Sequence, residues 1–124
     1  HIRNATFHPS QIPRDFNIPL GKKEEDAYLP LLSDALDQMV RFGLPDLAIV
    51  LYGADPYERD ELPSSGGIRL SLSQMIERDQ LVYQFLRERK VPVAYLKAGG
   101  YGNYAWEPLT QFLTWYLQQE NSVG

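Results

Sequence analysis

The sequence predicts an α/β fold, a parallel sheet flanked by helices, and three observations carry that prediction. Residues 47–52, Leu-Ala-Ile-Val-Leu-Tyr, form an unbroken apolar run that stops at Gly53. A short β-branched and aliphatic run bounded by turn residues reads as a strand buried on both faces. A second such run, Val-Pro-Val-Ala-Tyr-Leu at 91–96, ends shortly before Gly99 and Gly100. Helical periodicity precedes, separates and follows these two runs. Helix, strand, helix, strand, helix is the rhythm of a parallel layer with crossover connections.

Taken in order, residues 1–24 read as irregular, because Pro9, Pro13 and Pro19 are spaced too closely for a helix or a central strand. A first helix is predicted over 25–42, with Leu29, Leu32, Leu36, Met39 and Val40 at helical spacing and Pro30 early enough to be tolerated. Glu24, Glu25 and Asp26 suit its positive end, and Gly43 stops it. After the first strand, a loop runs from Asp55 to Gly67 and contains Asp60, Pro63 and a Ser-Ser-Gly-Gly turn. Ser71 or Ser73 caps a second helix reaching about residue 89, with Met75, Ile76, Val82, Tyr83, Phe85 and Leu86 facing inward. Its charged residues, Arg78 and Asp79 among them, read as a solvated face. A third helix over 104–118 is expected to bury Leu109, Phe112, Leu113, Tyr116 and Leu117. Two strands and three helices make a thin layer with apolar sheet edges left to cover. The chain therefore reads as part of something larger or as one half of an assembly.

Composition narrows the function classes. At 124 residues the chain is one domain's worth, taken as a single unit over 1–124, and 44% apolar with 23% charged is ordinary for a globular protein. A net charge of −4 with no basic run argues against nucleic acid and anionic membranes as partners. No cysteine means no disulfide and no thiolate metal site, which fits a reducing compartment such as the cytoplasm. No stretch approaches the ~18 apolar residues of a membrane span, and none reads as a signal peptide.

In open α/β sheets, chemistry collects just past the carboxyl ends of the strands. Two such ends are expected side by side here, Gly53-Ala54-Asp55 and Gly99-Gly100-Tyr101. An aspartate there can hold a divalent cation, a phenol can donate to a polarised carbonyl oxygen, and glycines allow close backbone approach. The plainer readings are an Asx turn begun by Asp55 and a tight turn at Gly99-Gly100. A phosphate cradle over 98–102 is weaker, since the spacing fits neither the dinucleotide fingerprint nor the P-loop. His1 and His8 are the only histidines, so a catalytic triad or a His-rich metal site lacks material.

The ordered set Gly53-Ala54-Asp55, Asp60, Leu62, Arg78-Asp79, Val91-Pro92-Val93 and Gly99-Gly100-Tyr101 resembles the C-terminal part of the zinc-dependent histone deacetylase superfamily. The class IV enzymes and their bacterial relatives are the nearest in pattern. Upstream, Ile18-Pro19-Leu20-Gly21 followed by Glu24 to Leu29 resembles another stretch of the same family. The resemblance implies an arginase-deacetylase type of fold, of which this is the C-terminal portion only, and hydrolysis of an acetyl-amide such as acetyl-lysine or an acetylated small amine. It implies Zn2+ as cofactor with Asp55 as a ligand, and Tyr101 as the catalytic donor that polarises the acetyl carbonyl. It further implies a substrate tunnel lined by Leu62, Gly99 and Gly100, with Phe7 and His8 as its early-loop contributors. In that family zinc activates a water while a histidine base takes the proton.

The chain also departs from the family pattern. The Asp-x-His pair and the tandem histidines of the family are absent, and one carboxylate does not hold zinc where catalytic sites use three protein ligands. Arg59-Asp60 stands for Gly-Asp, 63–67 is a small insertion, and Ala98 replaces a glycine. The expectation is a deacetylase portion inactive by itself, whose partners are its substrate and either the rest of the domain or a second copy covering the sheet edge. Two other expectations stand beside it: a non-catalytic binding module using that edge, and an anion-binding loop at 99–102.

Overall fold

A computed structural model describes residues 2–4, 18–20, 23–62 and 67–122. Among them the chain forms a small α/β domain with three α-helices around a two-stranded parallel sheet, and a second, shorter parallel pair near the start.

That shorter pair corrects the irregular reading at residues 2–4 and 18–20. β1 (Ile2–Asn4) and β2 (Ile18–Leu20) run parallel, with Ile2 opposite Ile18 and Asn4 opposite Leu20. Pro19 is tolerated because each strand of a two-stranded pair has a free side, where a missing N–H breaks no ladder. Leu20 is buried against Tyr28, Tyr57, Leu70 and Met75.

α1 (Tyr28–Met39) is flanked by single turns of 3-10 helix at Glu25–Ala27 and Val40–Phe42, so helical backbone covers the predicted span. Gly43, at φ +106°, ends it in a conformation that side chains other than glycine's strain to adopt. β3 (Ala48–Tyr52) and β4 (Val93–Lys97) pair in parallel, Ala48 opposite Val93 through Tyr52 opposite Lys97. α2 (Leu72–Glu88) makes the crossover between them. Its start is fixed by a reciprocal cap: the Gln74 amide donates to Ser71 Oγ at 3.2 Å, and the Ser71 amide donates to Gln74 Oε1 at 2.9 Å. α3 (Trp106–Asn121) follows, with Pro108 buried in its first turn.

Between the sheet and α2/α3 lies an aromatic core. Tyr52, Tyr83 and Phe112 are buried, and Tyr95, Trp115 and Tyr116 pack around them with ring centroids 5–6 Å apart, within the range of edge and offset contacts. Two expectations are corrected here. The sheet is covered on one face only: Ile49, Leu51 and Leu96 are 62%, 71% and 49% exposed, because the helices of the described residues all pack on the side of Val50, Tyr52 and Tyr95. Leu113 and Leu117 also stay exposed, since the apolar stripe of α3 is wider than the face α2 and β4 cover. Among the described residues no helix is long and apolar enough to cross a membrane.

Candidate functional site

The β3–β4 ladder continues beyond both strands and sets the site. The Ala98 amide donates to Tyr52 O at 2.9 Å, and the Ala54 amide donates to Gly99 O at 2.7 Å. The next residue is Asp55, and its carboxylate fills the space a side chain on Gly99 would need. A Cβ built on Gly99 collides with Oδ1, Oδ2 and Cγ of Asp55. One on Gly100 meets the Ala54 Cβ at 2.8 Å, and Gly100 has φ +136°. Those glycines are what allow the two strand ends to touch.

A second set of bonds zips the following loops together. Asp60 Oδ2 accepts from the Tyr101 amide at 2.7 Å, and Oδ1 accepts from the Leu62 amide at 2.9 Å. The Glu61 amide donates to Tyr101 O at 3.2 Å, and Glu61 Oε1 accepts from the Asn103 amide at 3.1 Å. Tyr57 and Arg59 then tie the loop to Glu107 in the first turn of α3, Arg59 at 2.8 Å, and the Arg59 guanidinium lies 3.5 Å over the Tyr104 ring. The Tyr101 backbone is therefore bracketed from both sides while its side chain stays half exposed.

Burial pushes the Asp55 carboxyl above the usual carboxylate range, and the charge of Asp60 pushes it the same way. A backbone hydrogen bond and the Arg78 guanidinium oppose the shift without cancelling it. A carboxylate held this way gains from a nearby cation.

The expected site residues fall as follows. Asp55, Gly99, Gly100 and Tyr101 gather at one end of the sheet, and half-buried Leu62 sits on the same zipped loop. Phe7 and His8 lie outside the described residues. Asp60 makes an Asx turn of its own, its carboxylate accepting from the Leu62 amide. Of the amides in the 99–102 loop considered for an anion, that of Tyr101 is taken by Asp60, and the next amide, that of Asn103, by Glu61. Asp60 as the bridge between loops was missed, because nothing in the sequence sets it apart from its acidic neighbours Glu58 and Glu61 in the proline-bounded loop.

Arg78 and Asp79 are not a solvated face; they are buried, at 9% and 6% exposure. Arg78 Nε and Nη2 both reach Asp79 Oδ1 at 2.7 Å. Burial disfavours the guanidinium charge, but Asp79 and Tyr28 outweigh it and hold the pKa above its ordinary value. Arg78, Gly53, Gly99, Gly100, Lys97 and Trp106 line a cleft of about 250 Å³ under the strand ends, which neither Asp55 nor Tyr101 lines.

Among the described residues no three His, Cys, Asp or Glu side chains gather to hold a metal. Asp55 supplies one carboxylate where a catalytic zinc needs three ligands, so these residues by themselves do not fit the ion.

No protein-family model matches the chain. Over 76 residues, 61% of the chain, it is 36% identical to Histone deacetylase 2 of Arabidopsis thaliana. The chain spans about a fifth of that relative's length, the matched stretch being 19% of it. This is a histone-deacetylase-like relationship.

Proposed function

We propose that these residues are the C-terminal part of a zinc-dependent deacetylase domain of arginase-deacetylase type, of the class IV or bacterial kind. It would act in the cytoplasm on acetyl-lysine or an acetylated small amine. The observation that supports this most is the Asp55 carboxylate seated against Gly99, two residues before Tyr101, in a chain with a histone-deacetylase-like stretch.

In this reading Asp55 is one zinc ligand, and the others come from residues beyond these 124. Were a metal held there by Asp55 together with ligands from outside these residues, it would supply Lewis-acid polarisation of the acetyl carbonyl. Tyr101 donates its phenolic hydrogen to the carbonyl oxygen and stabilises the oxyanion. Gly99 and Gly100 let the acyl group approach the backbone, and Leu62 contributes an apolar wall. The bare sheet face of Ile49, Leu51 and Leu96 packs against the remainder of the domain, since parallel sheets are buried on both faces.

The test is zinc content, by elemental analysis, of this chain beside one extended upstream through the expected Asp-x-His pair. Stoichiometric zinc in the longer chain alone supports the reading, and zinc in neither removes it. The exposed sheet face favours one second reading, a non-catalytic module that binds a partner along that face. Self-association without zinc supports that alternative.

A further inference from the structure

The geometry points to Arg78 as a positioning residue that clamps the Gly53 carbonyl and so fixes where Asp55 is delivered. Tyr52 and Ala54 bond across to β4, so in the alternation of a strand the intervening Gly53 carbonyl points away from that ladder. Arg78 Nη1 donates to this carbonyl at 2.9 Å. The other side of the same guanidinium is locked by Asp79 Oδ1, through Nε and Nη2 at 2.7 Å. A planar fork serves both acceptors at once, whereas the compact ammonium of lysine does not.

The anchor lies in the second turn of α2, behind the capped start at Ser71. The strand end is thus tied to a rigid helix and not only to the opposite loop. Two residues beyond the clamped carbonyl, the Asp55 carboxylate lies directly against the Gly99 backbone, in the space a side chain there would take. A small shift at Gly53 is therefore passed on to Asp55 directly.

The catalytic consequence rests on the deacetylase reading; the clamp itself does not. The experiment compares wild type with Arg78→Lys, in the full chain, by amide hydrogen exchange. Exchange at 54–57 and 99–101 is expected to rise about tenfold or more while α3 keeps wild-type rates. Unchanged loops overturn the clamp, and so does a uniform rise across all helices, which marks a general stability role.

In wild type, restricted rotation of the guanidinium should give separate Arg78 Nη1 and Nη2 resonances. A single averaged signal overturns the clamp without any variant having to fold. In the zinc-loaded protein extended upstream through the other ligands, Arg78→Lys should lower kcat about 100-fold with KM little changed, as a misplaced catalytic constellation does. A wild-type kcat in the variant despite loosened loops overturns the positioning role. If wild type itself lacks zinc-dependent turnover, the deacetylase reading fails, and the exchange and resonance data decide the clamp alone.

Discussion

Replacing Gly99 by alanine tests the central contact of the site. The new methyl group falls on the Asp55 carboxylate. The backbone at 99 is held in place by the bond from the Ala54 amide to Gly99 O at 2.7 Å. Asp55 must therefore swing away. Overpacking of this kind costs about 1–3 kcal/mol. Gly99 is not in the left-handed region, so alanine also removes freedom from the unfolded chain and returns about 0.4–1 kcal/mol. The net loss is about 1 kcal/mol, a fall of roughly 4 °C in Tm for a domain of this size. The decisive assay is a double-mutant cycle, by urea denaturation, with Asp55→Ala. Without the carboxylate, Gly99→Ala should become neutral or stabilising, giving a coupling of about 1–3 kcal/mol. Equal costs in both backgrounds would refute the contact on which the site is built.

Asp55→Asn probes the same carboxyl through pH. Because the folded pKa of Asp55 is raised, its contribution is fully present below the unfolded value of about 3.9 and is lost as pH rises through the folded value. In metal-free protein the asparagine variant should therefore gain on wild type between pH 3.5 and 7, and a difference constant with pH contradicts the buried, Asp60-facing placement. Tyr101→Phe, in the complete zinc-loaded protein, should cut turnover by about 100-fold or more, as loss of an oxyanion donor does; a rate within a few-fold of wild type removes Tyr101 from the mechanism. Leu51→Lys should change the stability of this chain by no more than about 0.5 kcal/mol, since Leu51 is 71% exposed. In a complete domain the same lysine should cost about 3 kcal/mol or more as an unpaired buried charge, and equal tolerance in both speaks against a covered face. Ser71→Ala should cost about 1 kcal/mol in thermal denaturation by removing the cap of α2.

Local signals made much of this fold legible before any coordinates. The apolar run before Gly53, the glycines after β4 and the Ser71–Gln74 pair each act within a few residues, and each marks its element to within about two positions. β1 and β2 escaped because their pairing joins short segments distant in sequence, and no local pattern announces it. Arg78 and Asp79 were misread because charge was weighed above position. Met75, Asp79, Val82 and Leu86 recur at helical spacing, so the pair sits within the apolar stripe of α2, where an ion pair must be buried. The site was legible as two glycine-rich strand ends. Its stitching by Asp60 was not, since a bond from a side chain to a backbone amide 41 residues away leaves no periodic trace.

The two tryptophans give this architecture a built-in pair of optical reporters. Trp115 stacks on Phe112 and meets Tyr83 edge-on at 5.1 Å, so its emission follows the aromatic core and reads global unfolding. Trp106 is 59% exposed at the mouth of the cleft beside Gly99 and Gly100, so its emission follows what enters there. Single replacement of either by phenylalanine separates the two signals. Occupancy of the strand-end cleft and cooperative melting then become readable in one fluorimeter, without a label.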